Sequence, residues 1–460
     1  MTRKFTARLG LRLTKKLKMG AALAPFAFMG GLTGSLILDT HRNAWATSEK
    51  ESPYAATQMM GRVIAQVEND YVDPVERTKL VEGAIKGMVA ELDPHSSYMP
   101  REDYVSFEQD TEGEFGGVGV EVDVRTELIT VLSAIEGSPA QKAGVKAGDQ
   151  IIAVDGEYVQ NATFDSMLKK MRGVPGTHVK ITVRRPQVKD PITFDLVRQI
   201  IRVPSVETKM LAGNIAYVRL KQFQDHTHDE LLRAAASLKA SGEPAGVILD
   251  MRSNPGGLVD EATDVADEFI SSGQIYTMRH RGEIVDEARA KSGGAFANAR
   301  VVILMDEWSA SAAELVAGAL QDSGRAIVVG QNSFGKGSVQ SIIDLPDGAG
   351  LRLTTARYYT PGGHAIQANG IHPNVIVKAA ATDPSSEYPE LRERDLEGHL
   401  AAEERTKPPE NQRIVQAPDK ADLEPGEMNE IESDPSHGKD FILALGYETM
   451  KASLASSPPK

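Results

Sequence analysis

The chain of 460 residues contains no cysteine. That absence excludes disulfide scaffolds, thiolate zinc sites and thiol nucleophiles together. It leaves the compartment open, because a chain in an oxidising space can also dispense with cysteine. Aromatic residues are sparse at 5%, so the core must rest on Val, Ile, Leu and Ala. Positive charge is outnumbered by negative charge beyond residue 46. Up to that point eight basic residues stand against Asp39 alone, a balance of +7, leaving −20 for the rest of a chain whose net charge is −13. Such a body repels phosphates, which argues against nucleic-acid binding.

Hydrophobic residues make up 41% and charged residues 25%, as in soluble globular proteins. A wholly disordered chain, a collagen-like fibre and a multi-span membrane protein are thereby excluded. At about 150 residues per domain, the length predicts two to four units.

The N-terminus reads as a targeting segment. A basic head is followed by an uncharged, Ala/Leu/Phe-rich run from Met19 to Leu38 and by Ala44-Trp45-Ala46. Basic head, apolar middle and small-residue exit form a secretory signal. The run is also long enough to span a bilayer if it stays attached. Residues 1–46 are therefore a signal peptide or membrane anchor, and the expected location is the periplasm, with export across a bacterial inner membrane.

Along the body, residues 47–108 read as a helical region, with Met59, Met60, Val63, Ile64, Val67 and Tyr71 at helical spacing. A second helix is expected from Arg77 to Leu92, stopped before Pro94. No chemistry is evident there. Residues 109–200 carry short β-rich runs with two helical pieces, Pro139–Ala143 and Phe164–Met171, and predict a small α+β module. Residues 201–380 alternate strands and helices, which predicts parallel βαβ units. Val247-Ile248-Leu249 is apolar on both faces, as a doubly covered strand should be. Residues 381–440 hold 17 acidic residues, 7 basic residues and 7 prolines. This composition predicts an acidic, disordered linker over 381–438, followed by a helix and tail at 439–460.

Four elements could carry chemistry. Gly330-Gln331-Asn332-Ser333-Phe334-Gly335-Lys336 fits the start of a phosphate-binding loop. The next residue is Gly337 rather than Ser or Thr, and the following stretch alternates like a strand. Nucleotide binding is thus a weak reading. Lys336 remains notable, because no acidic residue lies between Asp322 and Asp344. A desolvated lysine without a local carboxylate should have a lowered pKa and can act as a base.

The second element, Ser309-Ala310-Ser311-Ala312-Ala313-Glu314, follows a strand and opens a helix. It can project a hydroxyl where helix amides favour an oxyanion, although a plain N-cap serine would look the same. None of the ten histidines sits in a triad-like pattern. Third, Asp250-Met251-Arg252-Ser253-Asn254-Pro255-Gly256-Gly257 also joins a strand to a helix. The Gly256 or Gly257 amide, with that of Ala312, could form an oxyanion hole, or the stretch is a simple turn. Fourth, Phe115-Gly116-Gly117-Val118-Gly119-Val120 runs into a strand. Its amides could hold a terminal carboxylate while the strand edge adds a peptide, or it is a glycine-rich hairpin. The His226-Thr227-His228-Asp229 cluster lacks a metal-site spacing, and Asp229 reads as a first-turn carboxylate. No metal and no cofactor is expected.

Together these stretches resemble the carboxyl-terminal processing peptidases, or tail-specific proteases, over residues 55–378. Leu92-Asp93-Pro94-His95-Ser96-Ser97-Tyr98, Gly137–Gly156 and Tyr359-Thr360-Pro361-Gly362-Gly363 add to the match. The resemblance implies a multidomain α/β protein: a peptidase core related in outline to crotonase and ClpP, an inserted PDZ domain and an N-terminal helical region. It implies a serine endopeptidase with Ser311 as nucleophile, Lys336 as general base and Gln340 orienting the lysine. Gly117, Val118, Gly119 and Val120 would grip the free carboxylate of a substrate protein. Arg172 is similar to an arginine that couples tail docking to activation, and Asp322 reads as structural. Glu307-Trp308 departs from the small residues usual before Ser309 and would alter the entrance to the site. An adaptor or activating lipoprotein, a homodimer, and membrane contact through the N-terminal segment are the partners such a resemblance allows. Two rivals stay in view: a binding protein with an inert peptidase domain, and a nucleotide-binding protein.

Overall fold

A computed structural model of the chain describes residues 54–123, 129–159, 163–379, 391–418, 423 and 425–456. The expected leader over 1–46 lies outside the described residues. Among those described, no helix is long and apolar enough to cross a membrane.

The chain divides into two compact units, residues 1–83 and 84–460. In the first, helix α1 spans Ala55–Asp70 and buries no residue. Helix α2, Arg77–Ala90, begins in the first unit and ends in the second; Arg77 and Glu68 form an exposed ion pair.

In the second unit a short strand β1 (Ser97–Met99) leads into helix α3 (Arg101–Glu112), which Gly113 stops in a left-handed conformation. Strand β2 (Glu114–Gly117) follows, then β3 (Val120–Asp123), β4 (Ile129–Ala134), helix α4 (Pro139–Ala143), β5 (Gln150–Val154), β6 (Glu157–Tyr158), helix α5 (Phe164–Met171), β7 (His178–Arg184), β8 (Ile192–Val197) and β9 (Gln199–Arg202). β3 to β8 form one antiparallel sheet in the order β3-β4-β5-β7-β8, with β6 on β5. Val118, Ile129, Val131, Ile151, Met167, Met171, Val179 and Ile181 fill its core. β2 pairs antiparallel with β9, so the chain enters and leaves this module side by side, as an inserted unit must. The strand into which the 115–120 glycine stretch runs starts only at Val120, because Gly119 turns the chain with φ +74°.

The main sheet has seven strands: β10 (Val206–Leu211), β11 (Ile215–Leu220), β12 (Gly246–Asp250), β15 (Arg300–Met305), β16 (Ala326–Gly330), β19 (Val375–Ala379) and β20 (Arg413–Ala417). All neighbouring pairs are parallel except β10 with β11. Helices α6 (Thr227–Ala240), α7 (Val259–Asp267) and α8 (Ala312–Asp322) cover one face. Helix α9 (Phe441–Ala455) covers the other. The period-two pleat assigns the side chains: Val247, Leu249, Val301 and Ile303 face the first layer, while Ile248, Val302 and Leu304 face α9. A second, antiparallel sheet joins β1, β18 (Gly350–Tyr359), β13 (Gln274–His280) and β14 (Glu283–Arg289), with β17 (Ser338–Asp344) on β18. This α/β architecture is the fold class expected.

The acidic linker expected at 381–438 is corrected for its described part. Residues 391–418 carry β20, which extends the main sheet, and bury Arg392, Glu393 and Ala417. Charge counting missed this because the segment docks through backbone pairing and hydrogen-bonded charges, with Val415 and Ala417 adding little more to the apolar layer under the last helix.

Helix α9 is anchored by charge. Arg252 is 1% exposed and lies between two carboxylates. Its guanidinium donates to Asp250 at 2.5–3.1 Å and to Asp440 at 2.7 Å through both terminal nitrogens. Tyr217 Oη donates to Asp250 at 2.8 Å. Burial alone would push the Asp250 carboxyl up, but Arg252 outweighs it and holds that carboxyl below its usual value. Asp440 also caps α9 by accepting from Leu443 N at 2.9 Å. We therefore expect Asp440→Ala, which strips a buried guanidinium of one partner, to cost about 3 kcal/mol. A urea titration of the purified chain would measure it, and Asp440→Asn, which keeps one of the two acceptor oxygens, should lose less.

Candidate active site

The site lies where β12, β15 and β16 end and α8 begins. Asp306 closes the β15 turn. Its carboxylate accepts from Ser253 N and Trp308 N at 2.9–3.0 Å and from Ser309 Oγ at 3.0 Å. Ser309 is fully buried; its hydroxyl also donates to Met251 O at 2.9 Å and accepts from Asp306 N. That hydroxyl is consumed by structure. Trp308 projects from the same rigid turn and is 54% exposed.

Ser311 is different. It is the N-cap of α8 and holds φ 55° and ψ −115°, a strained conformation for a residue with a side chain. Its side chain is half-buried. Gly256 packs directly on it: a methyl group there would stand 2.8 Å from Ser311 Cβ and 2.9 Å from Ala312 N. The close approach requires glycine and brings the 254–257 turn against the start of α8. Asn254 locks that turn, accepting from Gly256 N and donating to Leu220 O, both at 2.8 Å. The Gly256 amide is therefore occupied, which corrects one of the two alternatives expected. The amides of Gly257 and Ala312 have no hydrogen-bond acceptor among the described residues.

Glu314 sits one turn into α8 and is fully buried. It accepts from Ser311 N at 2.7 Å, Gly335 N at 2.7 Å, Lys336 N at 2.9 Å and Ser333 Oγ at 2.5 Å. Burial pushes its pKa up to about 7, against the pull of these four donors. The amides that a phosphate loop would turn to a nucleotide are thus filled by an internal carboxylate. The residues after Lys336 form strand β17 rather than a helix. Both observations oppose the nucleotide reading.

Lys336 is half-buried beside this carboxylate. Burial, then Arg352, lowers its pKa from the ordinary lysine value; Glu393, Glu314 and Asp93 oppose the shift. No hydrogen bond joins Lys336 to Ser311 or to Gln340 among the described residues. Gln340 Nε2 instead donates to Ser338 Oγ at 3.0 Å and Thr354 Oγ1 at 3.3 Å. Thr354 Oγ1 donates to Asp93 at 3.1 Å, and Ser96 Oγ to Asp93 at 2.8 Å. The turn over 93–96, read from sequence as free of chemistry, belongs to this network. Asp322, at the far end of α8, accepts from Gly362 N at 2.8 Å.

In the module, Gly117 is paired with Gln199. Val118 O accepts from Ala140 N, and Gly119 O from Ile135 N and Ser138 Oγ. The Val118 and Gly119 amides have no acceptor among the described residues. β3, which starts at Val120, is an edge strand. Arg172 donates to Asp110 on α3 at 3.0 Å and lies 4.6 Å over the Phe115 ring.

Sequence reasoning named no role for Glu314, Asn254, Asp306 or Asp93. Only their places in quoted motifs, or just after a strand, signalled them. We expect Glu314→Gln to turn an amide NH₂ toward N–H donors. The unsatisfied groups should cost about 1–3 kcal/mol, read by urea unfolding, with a parallel fall in any activity that uses both loops.

Three family models match the chain. Residues 214–377 match peptidase family S41, residues 130–185 a PDZ domain, and residues 29–103 the N-terminal domain of the activating protease CtpB. A carboxy-terminal-processing protease of Bartonella bacilliformis is 40% identical over 378 residues, covering 81% of this chain and 87% of that one. The carboxy-terminal processing protease CtpB of Bacillus subtilis is 33% identical over 342 residues, covering 73% and 70%. Among solved structures, a photosystem II D1 C-terminal processing protease is 29% identical with a TM-score of 0.44, covering 69% and 92%. The chain belongs to the carboxy-terminal-processing proteases, serine-type peptidases of family S41 with a PDZ domain.

Proposed function

We propose that Ser311 is the nucleophile of this peptidase and Lys336 its general base. The observation that carries the assignment is the pairing by Glu314: one carboxylate binds the backbone of both residues, while the rival Ser309 hydroxyl is spent on Asp306 and Met251. Neutral Lys336 takes the Ser311 proton as Oγ attacks the scissile carbonyl. The Ala312 and Gly257 amides hold the oxyanion. Lys336 then protonates the leaving amine, and water releases the acyl-enzyme. The Ser311–Lys336 hydrogen bond closes when substrate arrives, as catalytic contacts in unliganded enzymes commonly do. Gln340, held by Ser338 and Thr354, steadies the wall beside the lysine.

Substrate selection is read from the PDZ domain. The open Val118 and Gly119 amides take the terminal carboxylate, and the β3 edge pairs with the tail. Arg172, docked on Asp110 and Phe115 in this structure, is the side chain that would carry tail binding to the catalytic site. We read residues 1–46 as a leader or anchor that places the enzyme in the periplasm, where it processes or degrades exported proteins. A binding-only protein would hold such tails without cleaving them; the Ser311 hydroxyl, whose proton is donated to no acceptor among the described residues, and the desolvated Lys336 favour cleavage.

Two outcomes test this reading. Purified protein should cleave an unfolded substrate with an apolar carboxyl-terminus near pH 8. Ser311→Ala should abolish turnover, and Lys336→Ala should lower kcat by about 10²–10⁴-fold. Because the lysine must be neutral, kcat/KM should fall about tenfold per pH unit below its lowered pKa. A flat profile from pH 5 to 9 would remove Lys336 as the base. Separately, amidating the substrate's carboxyl-terminus should weaken its binding to Ser311→Ala by about tenfold or more, through lost charge-assisted hydrogen bonds; equal affinity for both tails would exclude the 117–120 loop as a carboxylate site.

A further inference from the structure

The matched S41 region ends at residue 377, yet the loop that carries Lys336 is held from beyond it. Arg392 Nη1 donates to Asn332 O at 2.9 Å and Ser333 O at 3.1 Å. Glu393 N donates to Phe334 O at 3.2 Å. The Glu393 side chain is fully buried. One carboxylate oxygen accepts from Gln367 Nε2 at 2.8 Å, and the other lies 2.7 Å from His95 Nε2. Gln367 Oε1 in turn accepts from Gly337 N at 3.0 Å. Asn332, Ser333, Phe334 and Gly337, on both sides of Lys336, are therefore fixed by residues 392 and 393, directly or through one amide.

His95 comes from the opposite direction, in the turn before β1. Its carbonyl accepts from Arg352 Nε at 2.9 Å, and Arg352 is the cation nearest in effect to Lys336. A carboxylate taken out of water in this way is strongly unfavourable unless it is partnered. Placing one here, outside the apolar core and beside the lysine loop, is costly packing unless the charge is used.

We propose that Glu393 and His95, with Arg392, form a positioning unit of the active site that clamps the Asn332–Gly337 loop and holds a fixed negative charge beside the base. The proposal rests on Lys336 being that base. The groups facing Lys336 are Arg352 from β18, Glu314 from α8, Asp93 from the turn before β1, and Glu393. Arg352 favours the neutral lysine, and the three carboxylates favour the ammonium. Removing Glu393's charge therefore shifts the balance toward neutral lysine. The segment after residue 380 thus acts on catalysis without touching substrate, as a positioning element.

The test is the pH profile of Glu393→Gln in the full chain, which keeps the shape and an acceptor oxygen for Gln367 but removes the charge. The acid limb of kcat/KM should move to lower pH by about one unit, with kcat at the plateau about tenfold lower and KM little changed. A folded Glu393→Gln whose limb stays in place overturns the proposal, because a merely structural residue would lower activity without moving the limb. If that variant does not fold, His95→Gln replaces it. A roughly tenfold loss of kcat at constant KM supports the clamp, and wild-type kcat overturns it. Lys336→Ala, run alongside, separates the two readings. If Lys336→Ala is inactive and the Glu393→Gln limb is unmoved, only the clamp fails; an active Lys336→Ala removes the base assignment itself.

Discussion

The buried Glu314 carboxylate is the constraint on which the geometry of the proposed catalytic pair depends. Ser311 and Lys336 lie on separate loops after different strands, and no hydrogen bond between their side chains aligns them. Their backbones are aligned instead. One carboxylate accepts from both amides and from Gly335 and Ser333, so neither loop can shift without breaking a buried, charge-assisted hydrogen bond. Burying an acid with four donors and no direct cation is expensive, and its elevated pKa records that expense. The cost is tolerated at the one place where two loops must share a register.

Around this centre the same device recurs. The Asp306 carboxylate gathers the Ser253 and Trp308 amides and the Ser309 hydroxyl, and Asn254 gathers Gly256 and Leu220. Asp250 and Asp440 gather Arg252. Each polar side chain closes a turn at the carboxyl edge of the parallel sheet. There the strands stop supplying backbone partners and the buried amides must find others. Rigid turns then allow the two departures from ordinary backbone that the site uses: the strained Ser311 and the close contact of Gly256. Helix α9 is drawn in through Asp440, so the last described helix supports the turn that offers the Gly257 amide.

How much of this was legible in the sequence differs by type of signal. The apolar strands at 215–220, 246–250 and 301–305 declare themselves, because a strand covered on both faces has no polar side to disguise it. The β13–β14 hairpin does not. Its outer strand, Glu283–Arg289, is almost wholly exposed and charged, so it has no periodic apolar mark. The Ser311 and Lys336 loops were visible as motifs, but their meeting through Glu314 was not, since a side chain reaching between distant loops leaves no spacing to read. Gln340 turns to Ser338 and Thr354, and Arg172 to Asp110, for the same reason: the chain records residue types, not which neighbour wins a hydrogen bond. The 391–418 segment was hidden most completely. Its acidic, proline-rich composition describes a solvated tail, yet two of its charges are buried against the lysine loop.

Those buried charges set the surroundings in which Lys336, as the proposed base, would work. Desolvation and Arg352 drive Lys336 toward the neutral amine, while Glu314, Glu393 and Asp93 resist. If burial acted alone, the amine would be easily deprotonated but also a poor proton acceptor, because a base whose conjugate acid is destabilised binds the serine proton weakly. If the three carboxylates acted without burial, the ammonium would persist and no base would exist at neutral pH. The site holds both influences at once. The carboxylates come from three separate parts of the chain, before, within and after the matched peptidase region. With Lys336 as the proposed base, its strength is a property of the assembled fold, and a change in any one of those segments should reach the chemistry through charge even where it leaves the serine untouched.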